Sequence, residues 1–290
     1  MTARPLPPVR FETPVRFETP VQFGTPVRFE TPVQFGTPVR FGTRRLPGDR
    51  AAVMAIVTPA AVSCSDRGET PVDRAVREGA DIVDIAAAGD VVPLVAAVRE
   101  RYPELAIAVH TRRCEVARSV LDVGADIITW SGADPQLAEL AVERKCALVC
   151  RRSRPHRLPG AAAVGDVIND LIAQAATLVG LGVSREALVI DPTHDSGTWH
   201  GLELVRHSDD LVATGWPVLM TLSDQDFGPD PDTGVADVLP AAAIAAWAGI
   251  RVLRVHQVRR TRRVLDMVAS IAGTRPPARA TRGLTRREPG

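Results

Sequence analysis

Lysine and aromatic residues are scarce in this sequence. Lys145 is the single lysine among 290 residues, and Phe, Trp and Tyr together make up 4% of the chain. No stretch approaches the ~18 consecutive apolar residues that a membrane-spanning helix requires, so no contact with a membrane is expected. The N-terminus also lacks the apolar segment of a secretory signal peptide, and we therefore expect a cytoplasmic protein.

The cysteines do not form a recognisable metal or redox motif. The chain has four of them, Cys64, Cys114, Cys146 and Cys150, and none is paired at C-x-x-C spacing. Cys146 and Cys150 flank an apolar stretch. This arrangement favours free, buried thiols over a zinc site or a set of disulfides.

Charge is distributed unevenly, although the net charge is only +1. Residues 257–290 contain nine arginines against Asp266 and Glu288, a net charge of +7. A basic segment of this kind can bind nucleic acid. These arginines are dispersed among Pro, Ala and Thr without aromatic neighbours, which favours a solvated tail, so we expect no nucleic-acid partner.

A hexapeptide repeat occupies residues 7–42, with the copies PPVRFE, TPVRFE, TPVQFG, TPVRFE, TPVQFG and TPVRFG. Val and Phe lie two residues apart and would share one face of an extended strand. The proline in every copy opposes both helices and packed sheets. We expect residues 1–46 to form a disordered, low-complexity arm, with a partner-binding arm as the alternative.

From residue 50 onward, short β-branched runs alternate with Ala-, Arg- and Glu-rich segments of helical pattern. Runs that are apolar on both faces are typical of parallel strands covered by helices. Glycine recurs at the helix-to-strand joints, at Gly79, Gly124 and Gly249, where it is expected to end each helix. An open doubly wound sheet is the alternative, but no G-x-G-x-x-G follows the first strand.

These units predict an α/β fold, a (β/α)8 TIM barrel over residues 47–275, followed by a basic tail at 276–290. The predicted strands one to eight are 52–57, 81–86, 105–110, 125–130, 147–150, 187–191, 217–222 and 251–256. Each is followed by a helix, and the sixth of these helices is expected over 201–213.

Polar residues stand where the predicted strands end, at the edge where TIM barrels carry their function. A buried carboxylate at this edge, such as Asp191, can bind the paired N–H donors of a flat heterocycle. Arg254 and His256 alternate along the eighth strand, so their side chains point the same way and form a predicted anion site. A salt bridge within the barrel is the alternative for that pair. The other strand-end residues are Asp84, His110, Thr111, Trp130 and Ser223.

At these residues the chain resembles dihydropteroate synthase over residues 50–275. It is most similar to the divergent second paralogue of actinobacteria, through the segments HDSGTWHGLELVRHSDDLVATGWPVLMTLS and RVHQVRRTRRVLDMVASIAGTRPP. That family joins a pterin methyl pyrophosphate to p-aminobenzoate and releases pyrophosphate. The resemblance implies a TIM barrel, a homodimer formed through outer helices, and no cofactor beyond Mg²⁺ in active members.

Several functional positions of the family are retained. The resemblance implies a pterin site at Asp191, in the family's sixth-strand D-P, and at Ser223, the first residue of its S-R-K. In the third-strand V-D-T, Thr111 is kept but His110 replaces the pterin-binding Asp. Arg254 and His256 match the R-x-H that holds the departing pyrophosphate.

Positions in the loops are altered. A gapless alignment puts Thr58 and Val62 where the family has the Asn and Asp of its first loop. A shifted alignment deletes the Asn and puts Ala60 at the Asp. The second loop, 86–90, lacks the family's Thr-Arg pair, and the fourth-strand I-N-D is absent.

The strand-seven lysine of the family is replaced by Gln225. Lys145 cannot substitute for it, because it precedes the fifth strand and is expected at the opposite rim. Only Arg254 and His256 are then expected to supply positive charge at the mouth, where a pyrophosphate leaving group must be neutralised.

The losses predict a dihydropteroate synthase-like pterin-binding protein that is catalytically impaired or inactive, with a pterin, a phosphorylated small molecule or a protein as partner. An active, divergent dihydropteroate synthase is the first alternative. A repurposed barrel such as a metal-dependent hydrolase is the second, with His110, His194, Asp195, His200 and His256 near one mouth. Against it, the chain shows neither a strand-one His-x-His nor a helical ligand pair, so no metal site is expected.

Overall fold

The computed structural model describes residues 40–41, 44–58, 69–86, 89–131, 134–151, 161–193, 199–223 and 231–276. Residues 1–39 of the repeat region and residues 277–290 of the basic tail lie outside the described residues. The disordered arm and the solvated tail therefore stay predictions.

Eight parallel strands form one sheet, and the prediction of a (β/α)8 barrel is confirmed. The two edge strands of this sheet come together at an isolated parallel bridge between Ile190 and Val218, so that the sheet is nearly closed. The barrel strands are β3 (Ala52–Val57), β4 (Ile82–Ala86), β5 (Ala106–His110), β6 (Ile127–Ser131), β7 (Ala147–Arg151), β8 (Leu188–Asp191), β9 (Leu219–Leu222) and β10 (Val252–Val255).

Helices cover the outside of the barrel. They are α1 (Pro71–Arg77), α2 (Val92–Arg101), α3 (Cys114–Asp122), α4 (Pro135–Arg144), α5 (Ala161–Gly180), α6 (Trp199–Arg206), α7 (Ser208–Ala213), α8 (Pro231–Ala248) and α9 (Val258–Ile271). In the part of the chain that the structure describes, none of them is long and apolar enough to cross a membrane.

The helix predicted over 201–213 is in fact two helices, α6 and α7, so that prediction was wrong. The Ser208 hydroxyl donates to the backbone carbonyls of Leu204, at 3.4 Å, and Val205, at 2.8 Å. A serine that bonds back to helix carbonyls competes with the regular backbone pattern. This local competition explains the break at His207.

Local sequence signals determine where the first helix, α1, begins and ends. Thr70 caps α1, because its hydroxyl accepts from Asp73 N and the Asp73 carboxylate accepts from Thr70 N in return. Pro71 occupies the first turn, where its missing N–H costs nothing. Gly79 then turns the chain toward β4 with a φ of 94°, a conformation that favours glycine.

The bottom of the barrel is closed by residues just before β3. Phe41 and Leu46 are buried in the barrel interior beside Ala52 and Met54. Phe41 belongs to a short antiparallel hairpin, β1 (Arg40–Phe41) with β2 (Arg44–Arg45). Arg44 Nε, in turn, lies 3.0 Å from Asp126 Oδ1, just before β6. Among the described residues, packing into the barrel therefore already includes Phe41 of the last hexapeptide copy.

Candidate active site at the C-terminal mouth

The interior of the barrel changes character along the strand direction. In the N-terminal half it is apolar, with the residues Ala52, Met54, Ile82, Ala106, Ala108, Ile127, Ala147, Val149, Val189, Leu219 and Val252. Side chains alternate between the two faces of a strand, so the next inward positions belong to Ile56, Asp84, His110, Thr129, Arg151, Asp191, Thr221 and Arg254. The apolar interior, which we call the plug, therefore gives way to a mainly charged and polar layer where the strands end. We call this layer the mouth.

Asp191 forms a buried ion pair with Arg151. Arg151 Nε lies 3.1 Å from Asp191 Oδ2, and the two side chains are 5% and 1% exposed. The pairing follows from the sheet, because Arg151 on β7 and Asp191 on β8 are register partners. The other carboxylate oxygen, Oδ1, accepts hydrogen bonds from Thr193, one from its backbone N at 2.9 Å and one from its hydroxyl. Both oxygens of the acid are thus engaged within the protein.

Opposing effects act on the protonation of Asp191. Burial raises the pKa of its carboxyl group above the ordinary value for aspartate. The charge of Arg151, the two Thr193 donors and the charge of Arg254 lower that pKa. Both arginines therefore act on the same acid, as expected of groups that share one water-poor layer.

Arg254 forms the second buried ion pair of the mouth. Its Nε lies 2.7 Å from Asp84 Oδ2, with exposed side-chain fractions of 14% and 0%. Arg254 therefore forms a salt bridge within the barrel, which was the alternative to its predicted role in an anion site. Asp84 Oδ1 and Thr221 Oγ1 are buried without a hydrogen-bond partner among the described residues. The mouth therefore keeps two polar atoms that its own described side chains do not satisfy.

The remaining predicted ligand residues lie around this layer. His110 and Ser223 are half-buried at inward positions, and His256 is exposed just beyond β10. Thr111 is buried, and its hydroxyl accepts from Arg113 N at 3.2 Å, so it supports the turn after β5. The inner side of the barrel therefore carries His110, Asp191, Ser223 and Arg254. Thr111 follows His110 and is on the outer side. The ligand roles of all these residues stay predictions.

The degenerate family positions are only partly described. Thr58 is exposed at the end of β3, and Val62 and Gln225 lie outside the described residues. Lys145 is the C-cap of α4, with a φ of 52°, and precedes β7 at the N-terminal rim. The one lysine of the chain is therefore on the opposite side of the barrel from the mouth, as the sequence predicts.

The described residues do not fit a magnesium ion. None of their His, Cys, Asp and Glu side chains come together in a group of three or more that could hold a metal ion. At the mouth, the carboxylates of Asp84 and Asp191 are each paired with a guanidinium, whereas Mg²⁺ sites in proteins usually include one or two carboxylates bound to the ion. His194 and Asp195 lie outside the described residues, and the side chain of His200 is not described.

The expectation that only Arg254 and His256 supply positive charge at the mouth was wrong, because Arg151 also lies there. The predicted fifth strand ended at Cys150, one residue before Arg151. Extending the period-two pattern of Ala147 and Val149 by one step would have placed Arg151 inward. Thr193 was missed as well; its position two residues after a strand-end Asp was the available signal.

Comparison with known proteins gives a family for this site. Residues 66–256 match the family described as pterin binding enzyme. The chain is 44% identical to the protein named inactive dihydropteroate synthase 2 of Mycobacterium leprae, across 83% of this chain and 97% of that protein. Its counterpart in Mycobacterium tuberculosis H37Rv is 42% identical, across 83% and 89%.

Solved structures agree with this relationship. The structure of Mycobacterium tuberculosis Rv1207 has a TM-score of 0.68 at 43% identity and covers 83% of this chain and 100% of its own. A dihydropteroate synthase from Thermus thermophilus in complex with 6HMPPP has a TM-score of 0.70 at 28% identity, covering 81% and 100%. The family match covers residues 66–256, more than half of the chain, and two relatives that are matched over most of their length are more than 40% identical to it. The chain therefore belongs to the pterin binding enzyme family.

Proposed function

We propose that this chain is a dihydropteroate synthase-like protein that binds a pterin or a phosphorylated small molecule at the mouth without turning it over. The observation that carries the proposal is that, among the described residues, the two inward acids are each paired with an inward arginine, Asp191 with Arg151 and Asp84 with Arg254. Within each pair the negative charge of the aspartate and the positive charge of the arginine cancel. The family's reaction, in contrast, needs an acid that binds the pterin ring and a positive charge that stabilises the leaving group.

The pairing weakens the stabilisation of a leaving pyrophosphate. Positive charge aids catalysis when it is aimed at the atoms where negative charge builds up. The Arg254 guanidinium already lies against the Asp84 carboxylate at 2.7 Å, so much of its field is cancelled. Mg²⁺ would be needed only if the protein were active, and the described residues do not fit the ion.

The loss of the strand-seven lysine acts in the same direction. Gln225 supplies no charge, and Lys145 is on the opposite rim. Each buried hydrogen bond to a ring that is lost costs about 1–3 kcal/mol of binding. The substitutions at the first loop and at strand seven therefore support weak binding of the family's substrates together with loss of the reaction.

A binding panel tests the retained part of the proposal. The full chain is titrated separately with 6-hydroxymethylpterin, p-aminobenzoate and inorganic pyrophosphate, and the melting temperature is followed. A ligand that binds only the folded state raises that temperature in proportion to the logarithm of its concentration. We expect a concentration-dependent rise with the pterin or with pyrophosphate. No shift with any of the three, up to millimolar concentration, would leave a bare scaffold and refute the binding role.

A homodimer in the cytoplasm is the setting we propose for this protein. Exposed apolar side chains on α9 support an interface between copies, since Met267 and Ile271 are 61% and 66% exposed. Trp247 on the neighbouring α8 is half-buried and packs against the outer core. Sedimentation of the full chain at micromolar concentration tests the assembly, with a dimer as the expected species.

A further inference from the structure

The carboxylate of Asp191 has little capacity left for a ligand. An ionised carboxylate offers about four acceptor positions on its two oxygens. Thr193 uses Oδ1 twice, through its N–H and its hydroxyl, and the Arg151 guanidinium covers Oδ2 in an ion pair, with Nε 3.1 Å away. A flat heterocycle that presents two parallel N–H donors needs both oxygens or both lone pairs of one. It therefore cannot bind Asp191 in full while Arg151 is in place.

The Arg151 guanidinium resembles the group it displaces. It is planar and presents N–H donors in a fixed fork, as does the amidine edge of a 2-aminopyrimidinone ring. Besides the bond to Asp191, its Nη2 donates to the Thr193 carbonyl at 3.2 Å. The protein thus meets its own acid with the same donor pattern that a pterin would use.

Neighbouring strands, and not a loop, hold this contact in place. Arg151 and Asp191 are register partners on β7 and β8. With only 5% and 1% of their side chains exposed, little water is available to replace either partner. A buried ion pair is costly to open, because it leaves an uncompensated charge. Displacement of the guanidinium by a neutral ring is therefore unfavourable.

We infer that Arg151 is the positioning residue that sets the ligand preference of the mouth: by holding Asp191 it disfavours pterin-like rings without weakening the binding of a phosphate or pyrophosphate group. This inference rests on the proposed function, since it concerns the same site. It assigns the weak binding of a pterin to one side chain of β7, in addition to the missing family residues.

Replacement of Arg151 tests the inference. In Arg151→Met the apolar side chain keeps much of the length and gives Asp191 Oδ2 back to a ligand. Arg151→Gln keeps one amide donor and is the second variant in case the first fails to fold. Arg118→Met is the matched control, because Arg118 is half exposed on α3 and pairs with Glu143, away from the mouth. Calorimetric titration of each with 6-hydroxymethylpterin and with inorganic pyrophosphate gives the readout.

We expect the dissociation constant for the pterin to fall by about tenfold to a hundredfold in Arg151→Met, the effect of recovering one hydrogen-bonded contact, and by less in Arg151→Gln. Pyrophosphate affinity should stay the same or decline, because a positive charge is removed. Purely structural damage would weaken both ligands. Adding Asp191→Asn to Arg151→Met should abolish the gain.

Equal pterin affinity in the wild type and in both Arg151 variants would overturn the inference, and so would a gain that persists in the double variant. These results are separate from a failure of the proposed function. That failure would appear as absence of binding of both probes by the wild type, whereas the inference concerns the change in pterin affinity on substitution.

Discussion

Arg254 on β10 and Asp84 on β4 are joined across the strand that lies between them. The donor Nε and the acceptor Oδ2 are 2.7 Å apart, and the intervening strand β3 is hydrogen-bonded to both β10 and β4. The pair therefore links three strands on the inner side of the barrel, one layer above the apolar plug.

Removal of this acid should destabilise the fold. In Asp84→Ala the Arg254 guanidinium loses its buried counterion, which typically costs about 3–5 kcal/mol. Urea unfolding measures the change. Glu143→Ala is the control, because its pair with Arg118 is half exposed and should change stability by no more than about 1 kcal/mol. Equal effects of the two substitutions would show that the buried pair contributes no more than a surface pair.

The same variant should bind pyrophosphate more tightly. Without Asp84, the positive charge of Arg254 is no longer cancelled at the mouth, and an anion gains that interaction. Titration of Asp84→Ala with inorganic pyrophosphate should therefore give a smaller dissociation constant than the wild type. An unchanged or larger constant would argue against Arg254 as part of an anion site.

Phe41, in the last hexapeptide copy, should contribute to the stability of the fold, whereas the Phe residues of the earlier copies should not. Phe41 is fully buried in the barrel interior, and truncation of a buried Phe to Ala costs about 3–5 kcal/mol. Urea unfolding of Phe41→Ala measures this cost, with Phe35→Ala in the preceding copy as the matched control. Deletion of residues 1–36 should leave stability unchanged, whereas deletion of residues 1–46 should lower it. Equal effects of the two Phe substitutions would contradict the claim that burial of Phe41 in the barrel interior stabilises the fold.

This contrast illustrates what the sequence can and cannot predict. Alternating apolar runs and joint glycines were sufficient to predict eight parallel strands, because those signals are local. Phe41 occupies the same position in its hexapeptide copy as five other Phe residues in theirs, but it is followed by the Arg44–Arg45 strand, which pairs with it. Its burial depends on that tertiary context, which no local pattern carries.

The mouth shows the same limit. Asp84, Asp191 and Arg254 were identifiable as strand-end residues, but the sequence did not show which acid pairs with which arginine. Arg151 meets Asp191 because β7 and β8 are neighbours in register, and Asp84 meets Arg254 across β3. Such contacts between strands depend on stagger around the barrel, which the alternation of single strands does not specify.

Substitution by alanine should change the stability of the protein in opposite directions at Gly124 and Gly165. Gly124 has a φ of 111°, and an added Cβ would lie 2.7 Å from Arg99 Cγ. Gly124→Ala should therefore destabilise the protein by about 1–3 kcal/mol. Gly165, within α5, has open space around an added Cβ, so Gly165→Ala should stabilise by about 0.5–1 kcal/mol. Thermal unfolding of both variants measures the two changes. A change in stability of the same sign in both would contradict the difference in backbone conformation and space between the two sites.

Alkaline pH should weaken the fold through two buried thiols. Burial raises the pKa of Cys146 to about 12 and that of Cys150 to about 12, the latter also through the charge of Asp191. An unfolded cysteine ionises near ~8.5. Because the folded-state pKa values are the higher ones, the unfolded chain releases these protons first, and stability falls as pH rises from about 8.5 toward 12.

Each thiol should account for about 1–2 kcal/mol of lost stability by pH 10. Urea unfolding at pH 8 and pH 10 under reducing conditions measures the loss. Cys146→Ala and Cys150→Ala should each reduce the dependence on pH, whereas Cys114→Ala, at a half-buried thiol, should reduce it less. A pH dependence that is unaffected by both substitutions would contradict this explanation.

The loss of catalysis is measured directly by the initial rate of pyrophosphate release from 6-hydroxymethyl-dihydropterin pyrophosphate and p-aminobenzoate, with Mg²⁺ present. The paired acids and the missing lysine predict no release above the uncatalysed background, for the wild type and also for Gln225→Lys. Release by the wild type that disappears in Asp191→Asn, above all at a kcat near the ~1 s⁻¹ of ordinary enzymes, would contradict it.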